Sequence, residues 1–122
     1  MRYFTYAEFD QKGEEGSGQL FMDYLFLSSL DALRHKCGFP FIITSGYRTP
    51  EYNNQVSSTG YDGPHTTGKA ADILVSRSNA DIVLEKAYEM GCFTGKGIHQ
   101  KGDNRFIHLD TLERDSNALW SY

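Results

Sequence analysis

Two histidines and one aspartate carry the clearest chemistry in this sequence. His65 and Asp72 lie in Gly63-Pro64-His65-Thr66-Thr67-Gly68-Lys69-Ala70-Ala71-Asp72-Ile73-Leu74-Val75, and His108 lies in Arg105-Phe106-Ile107-His108-Leu109-Asp110. Neutral imidazole and carboxylate are both zinc ligands, and a loop that doubles back between His65 and Asp72 can bring them onto one cation. The Gly-Pro pair turns the chain, Gly68 accepts unusual backbone angles, and Asp72 opens an apolar run that reads as a buried strand. In the second stretch, strand alternation sets Phe106, His108 and Asp110 on one face and Ile107 and Leu109 on the other. Two histidines and one carboxylate leave a tetrahedral zinc one open position, which is the arrangement of a catalytic rather than a structural site. Zinc lowers the pKa of a bound water to about 7 and polarises a carbonyl, so the chemistry in view is hydrolysis.

Several elements must position those residues. Met22, Phe26, Leu30, Leu33 and Cys37 recur at helical spacing and predict an amphipathic helix over 19–37 that Gly38 ends. His35 near its end reads as a surface helix-end histidine. Phe39 to Thr44 predicts a short buried strand, and Ser45-Gly46-Tyr47-Arg48-Thr49-Pro50 turns out of it. A polar stretch follows, with a helical turn and then a loop leading to His65. Ser78-Asn79-Ala80-Asp81 has the form of a capping box, opening a second helix whose apolar face is Ala80, Val83, Leu84, Ala87 and Met90 and which Gly91 closes. Phe93 to Ile98 predicts a third strand or bend and Arg105 to Thr111 the last strand. Helices and strands mix without regular alternation, so the fold class is α+β, with a small, mainly antiparallel sheet in which the two metal-bearing strands are neighbours.

Composition sets the bounds. A chain of 122 residues builds one core. Its formal charge of -4 argues against a nucleic acid or anionic membrane held by a bulk positive field. No apolar leader precedes Glu8 and no run reaches transmembrane length, so synthesis in a cytoplasm without a signal peptide is expected. Cys37 and Cys92 lack the spacing of a zinc knuckle and read as small hydrophobes rather than a disulfide.

The segments Phe4-Thr5-Tyr6-Ala7-Glu8-Phe9, Thr44 to Pro50, Pro64 to Ile73 and Phe106 to Asp110, with Trp120, together resemble the zinc D-Ala-D-Ala carboxypeptidase family of metallopeptidases, which includes phage peptidoglycan peptidases. The likeness spans a single domain over 3–120, and its specific part is the H-x-x-G-x-A-x-D element joined to a downstream H-x-D. It implies Zn2+ held by His65, Asp72 and His108, in a sheet-lined groove of an α+β fold. It implies that Arg48, beside Ser45 and Tyr47, faces substrate or oxyanion; a guanidinium fork suits a terminal carboxylate or a tetrahedral oxyanion. The implied substrate is a peptidoglycan stem peptide, cut by a carboxypeptidase or an endopeptidase acting as a monomer on the bacterial wall, with a phage product as one implied source. The alternative is a non-catalytic zinc-holding or wall-binding module of a virion or larger assembly.

Two positions depart from relatives. Gly63 stands where many have serine, and Arg105 and Phe106 stand where other branches have a glutamate or a histidine ahead of the last ligand. Asp110, on the same strand face as His108, is the candidate general base, and His99 on the preceding loop is the second. Each residue also has a plainer reading. Asp72 can pair with Lys69, Arg48 with Glu51, and Asp110 can orient a ligand, while Tyr47 and Trp120 suit packing.

Overall fold

Asp23 divides the first predicted helix. In the computed structural model, which describes residues 1–122, α1 (Ser17–Phe21) ends before Asp23, whose carboxylate accepts the Phe26 N–H at 2.9 Å and starts α2 (Tyr24–Cys37). An aspartate at this position satisfies a backbone donor that the first helical turn leaves free. Gly38 closes α2 in the left-handed conformation, as expected. The apolar spacing did locate the buried face: Met22, Phe26, Leu30 and Leu33 are buried.

Beyond α2 the chain forms β1 (Ile42–Ser45), α3 (Pro50–Val56), a 3-10 turn at Pro64–Thr67, β2 (Ala70–Leu74), α4 (Arg77–Met90), β3 (Gly95–His99), β4 (Phe106–Asp110) and β5 (Ala118–Ser121). The strands form one sheet in the order β1-β2-β4-β3-β5. Every pairing is antiparallel except β3 with β5. The expected α+β class and mainly antiparallel sheet are therefore present, and β2 and β4 are neighbours with Asp72 directly opposite His108.

Strand alternation gives the sheet two different faces. Ala71, Ile73, Ile107 and Leu109 point into a core shared with Phe26, Leu30, Leu33, Val83 and Ala87 of α2 and α4. Asp72, His108 and Asp110 point the opposite way. That second face carries no long helix; the loops around α3 and the Pro64–Thr67 turn border it instead.

Three local expectations are corrected. The strand predicted over Phe39 to Thr44 forms at Ile42–Ser45 on the sheet edge with Ile42 and Thr44 exposed, so it is not buried; β1 has a neighbour on one side only. The helix expected to start at the Ser78 capping box starts earlier, at Arg77 after Ser76, with no side-chain cap. Asp72 lies in the middle of β2 rather than at its start. A fifth strand at 118–121 was not expected, because no apolar alternation marks it.

Candidate metal centre

His65 comes from a turn that the main chain holds in place. Its Nδ1–H donates to the Gly46 carbonyl at 2.8 Å, and its own carbonyl accepts the Arg48 N–H at 3.1 Å. A carbonyl only accepts, so this bond fixes the proton on Nδ1 and leaves Nε2 facing inward. Gly46 packs directly on Phe9: a Cβ there would lie 2.6 Å from the Phe9 main chain. The order of the Phe4 to Phe9 segment and the position of His65 are thus linked through one glycine.

Asp72 and His108 come from facing strands. Asp72 Oδ1 lies 3.2 Å from His65 Nε2 and 2.9 Å from His108 Nδ1. All three side chains are buried, and one ligand atom from each lies within 4.8 Å of the others. Burial alone would raise the Asp72 pKa, but hydrogen bonds and charge from His108 and His65 outweigh it and hold the carboxyl well below its ordinary range. Burial would likewise lower His108, yet its bonds to Asp110 and Asp72 raise it above its ordinary value.

This donor set fits a zinc ion. Two imidazole nitrogens aim at one carboxylate oxygen, and with His65 protonated on Nδ1 and His108 bonded through Nε2, lone pairs meet at the centre unless a cation sits among them. Protons can supply that charge in the metal-free protein, and a divalent metal with N and O preferences supplies it better.

Arg48 reaches the same carboxylate from the rim, with NH2 3.8 Å from Asp72 Oδ2 and NH1 donating to Asn53 Oδ1 at 3.0 Å. It is not paired with Glu51. Asn53 is fully buried and also donates to Thr59 Oγ1 and the Gly60 carbonyl, so it holds both Arg48 and the loop that borders the groove. Nothing in the sequence marks Asn53, since a polar residue in a polar stretch carries no signal of burial.

A groove opens over the three ligands, lined by Arg48, Ser57, Thr59, Trp120 and Tyr122 among others. A second recess, lined by Thr44, Ser45, Leu74 and Asn104, shares Arg48, Asp72 and Phe106 with it. Ser45 therefore reaches the site's far arm. Tyr47 reaches neither arm: it is buried, with its ring stacked on Phe21 at 4.7 Å. Trp120 lies over the His108 ring at 5.2 Å between centroids. His99 shares the sheet face with His108 but stacks on Phe106 at 5.0 Å and meets Tyr122 at 6.0 Å, and it does not line the groove.

Asp110 does not face the groove either. Its side chain is fully buried behind His108, whose Nε2–H donates to Oδ2 at 2.9 Å, and Arg114 grips both oxygens at 2.7 and 3.2 Å. Arg114 was not foreseen, because the residues after the last strand have no periodicity that would mark it.

Elsewhere, His35 bonds the Tyr3 hydroxyl near the end of α2, in a hollow where Asp31 already accepts the Arg2 and Tyr3 N–H groups. It takes no part in the metal centre. Cys37 and Cys92 are free thiols, and burial pushes Cys37 up to about 11. No helix is long and apolar enough to cross a membrane.

A family model described as Peptidase M15 matches residues 2–110 of this chain. No curated protein matches it.

Proposed function

The chain belongs to the peptidase M15 family of zinc D-Ala-D-Ala carboxypeptidase-type metallopeptidases, and from that premise we propose that it hydrolyses an internal amide bond of a peptidoglycan stem peptide, with Zn2+ on His65, Asp72 and His108. The observation that carries this reading is the meeting of those three side chains beneath a groove that also holds Arg48. When bound, zinc supplies a Lewis acid that polarises the scissile carbonyl and lowers the pKa of a water.

The chain's own residues do the rest. Arg48 is cationic and held by Asn53, so its remaining donors are available to orient a peptide carbonyl or to stabilise the oxyanion that develops from it. Serine and threonine hydroxyls at Ser57 and Thr59, and Ser45 in the far arm, offer hydrogen bonds to a peptide backbone. Phe106, Trp120 and Tyr122 give the groove an aromatic wall, suited to small apolar side chains such as alanine.

An internal bond is favoured over a terminal one because the two recesses meet at Arg48, Asp72 and Phe106, which leaves room for substrate on both sides of the metal. In this reading Asp110 acts through His108 as a positioning residue, since its buried carboxylate has no path to the groove.

Incubation of the zinc-loaded protein with purified peptidoglycan, followed by assay of new amines and mass analysis of the fragments, tests the proposal. Internal stem fragments are expected, abolished by a chelator and restored by zinc. Release of free D-alanine alone would replace the endopeptidase with a carboxypeptidase. Sedimentation with the wall and no new amines would replace both with a non-catalytic wall-binding module.

A further inference from the structure

We infer that Arg114 is a positioning residue for the metal centre, locking the Asp110 carboxylate so that His108 presents Nδ1 to the ligand cluster. The inference rests on the zinc reading of that cluster. Arg114 lies outside the segment that the family model matches, which ends at residue 110.

A carboxylate turns about its Cβ–Cγ bond unless both oxygens are held. Here NH1 of Arg114 donates to Oδ1 at 2.7 Å and NH2 to Oδ2 at 3.2 Å, a two-point grip that fixes the carboxylate plane. The Leu112 N–H adds a contact to Oδ1 at 3.3 Å and Thr94 Oγ1 another at 3.5 Å. Space for the carboxylate exists because Gly95, opposite it on β3, has no side chain; a Cβ there would overlap both carboxylate oxygens. With its plane fixed, Oδ2 stays on His108 Nε2 at 2.9 Å.

Both ring nitrogens face a carboxylate at 2.9 Å, Asp110 Oδ2 at Nε2 and Asp72 Oδ1 at Nδ1, so the two compete for the single proton of a neutral ring. A fixed Asp110 carboxylate favours the proton on Nε2, which leaves the Nδ1 lone pair for the centre that Asp72 and His65 share. If Arg114 is lost, the carboxylate keeps only the single contacts of Leu112 and Thr94 to Oδ1, and the imidazole places its proton more readily on Nδ1, against Asp72, where it competes with a metal. A lysine keeps the charge but contributes a single point contact, without the fork.

Arg114 lines a cleft with Thr111, Leu112 and Glu113, whereas the groove over the ligands does not include it. Its effect on the metal is therefore separable from any contact with substrate.

Two measurements on Arg114→Met and Arg114→Lys test the inference: zinc affinity by competition with a chromophoric chelator, and the tautomer of His108 in metal-free protein at high pH by long-range nitrogen-proton correlation NMR. Zinc affinity is expected to fall about 10 to 100-fold in Arg114→Met, with a smaller fall in Arg114→Lys. Arg114→Met is expected to shift the ring from the Nε2–H tautomer toward Nδ1–H relative to wild type. Unchanged affinity together with an unchanged tautomer in Arg114→Met overturns the inference. If Arg114→Met does not fold, the same two readings in Arg114→Lys decide it. Should the wild type bind no zinc, the metal reading fails, and the tautomer comparison still decides the role of Arg114.

Discussion

The two histidines of the metal centre are held by opposite means. His65 is held by main chain: a carbonyl at Gly46 fixes its tautomer, and the Arg48 N–H fixes its turn. His108 is held by side chains, in a line from Arg114 through Asp110 to Nε2. A ligand held by backbone is exposed to few substitutions, because no single side-chain replacement removes a carbonyl. A ligand held by side chains can be tuned one residue at a time. The loop half of the site is thus fixed by the fold, and the sheet half is adjustable.

The largest effect should come from removing either ligand, which also tests whether the two halves are equally necessary. His65→Ala and His108→Ala should each reduce bound zinc from one per chain to none and abolish turnover, read by metal analysis. Full zinc in either variant removes that residue from the site.

Arg48 lies between the halves, on the rim. Arg48→Lys should keep the fold and the zinc and lose turnover by about 10² to 10³, the scale of an oxyanion donor. Wild-type turnover in the lysine variant would leave Arg48 with a structural bond to Asn53 and nothing more.

Asp110→Asn addresses the sheet half alone. Zinc affinity should fall by about 10 to 100-fold and saturating zinc should restore the rate. A fall in turnover of about 10² to 10⁴ with zinc still bound would instead assign Asp110 as the general base. Full activity at limiting zinc would exclude both roles and make His99→Ala the next variant to measure.

Gly46→Ala is the matching change in the loop half. The added Cβ meets the Phe9 main chain, so either Phe9 or the carbonyl that holds His65 must move, at a cost of about 1 to 3 kcal/mol. A thermal midpoint equal to wild type would show that the turn yields freely and that the halves are less different than their hydrogen bonds indicate.

The smallest effect is one of sign. In metal-free protein, the raised His108 contributes stability that is present below its ordinary 6.5 and lost as pH rises through the folded value. The depressed Asp72 contributes stability that is present above its ordinary 3.8 and lost as pH falls through its folded value. The metal-free protein should therefore lose stability as pH rises above 6.5. Zinc competes with the His108 proton, so the loaded protein should gain stability over the same range. Thermal unfolding with and without chelator across that range checks the crossing, and parallel curves would mean that the metal does not bind where His108 titrates.

Much of this was written in local pattern. Helical spacing from Phe26 to Leu33 identified the buried face of α2, because a period of 3.6 needs only the sequence to be seen. Alternation in Phe106 to Asp110 put His108 and Asp110 on one face and Ile107 and Leu109 on the other, and the spacing of His65, Asp72 and His108 supported a family likeness. Where local pattern was weak the reading erred. Ile42 looks like a core residue yet sits on an edge strand, and Ser78 looks like a helix cap although the chain had already turned at Ser76.

The sequence by itself determined which residue types were available for chemistry and which face of each element they occupied, since both follow from side-chain identity and a fixed backbone period. Tertiary structure decided which way those faces looked. It turned Asp110 away from the groove and onto His108, buried Tyr47 against Phe21, screened His99 behind Phe106 and Tyr122, and brought Asn53 and Arg114 to support residues that sequence had marked alone. Even where the partners are close in sequence, 2 residues for Asp110 and His108, 4 for Arg114 and Asp110 and 5 for Arg48 and Asn53, no period marks the pair; the meeting is fixed by the sheet order and by where a glycine leaves room, and neither is a property of any one stretch of chain.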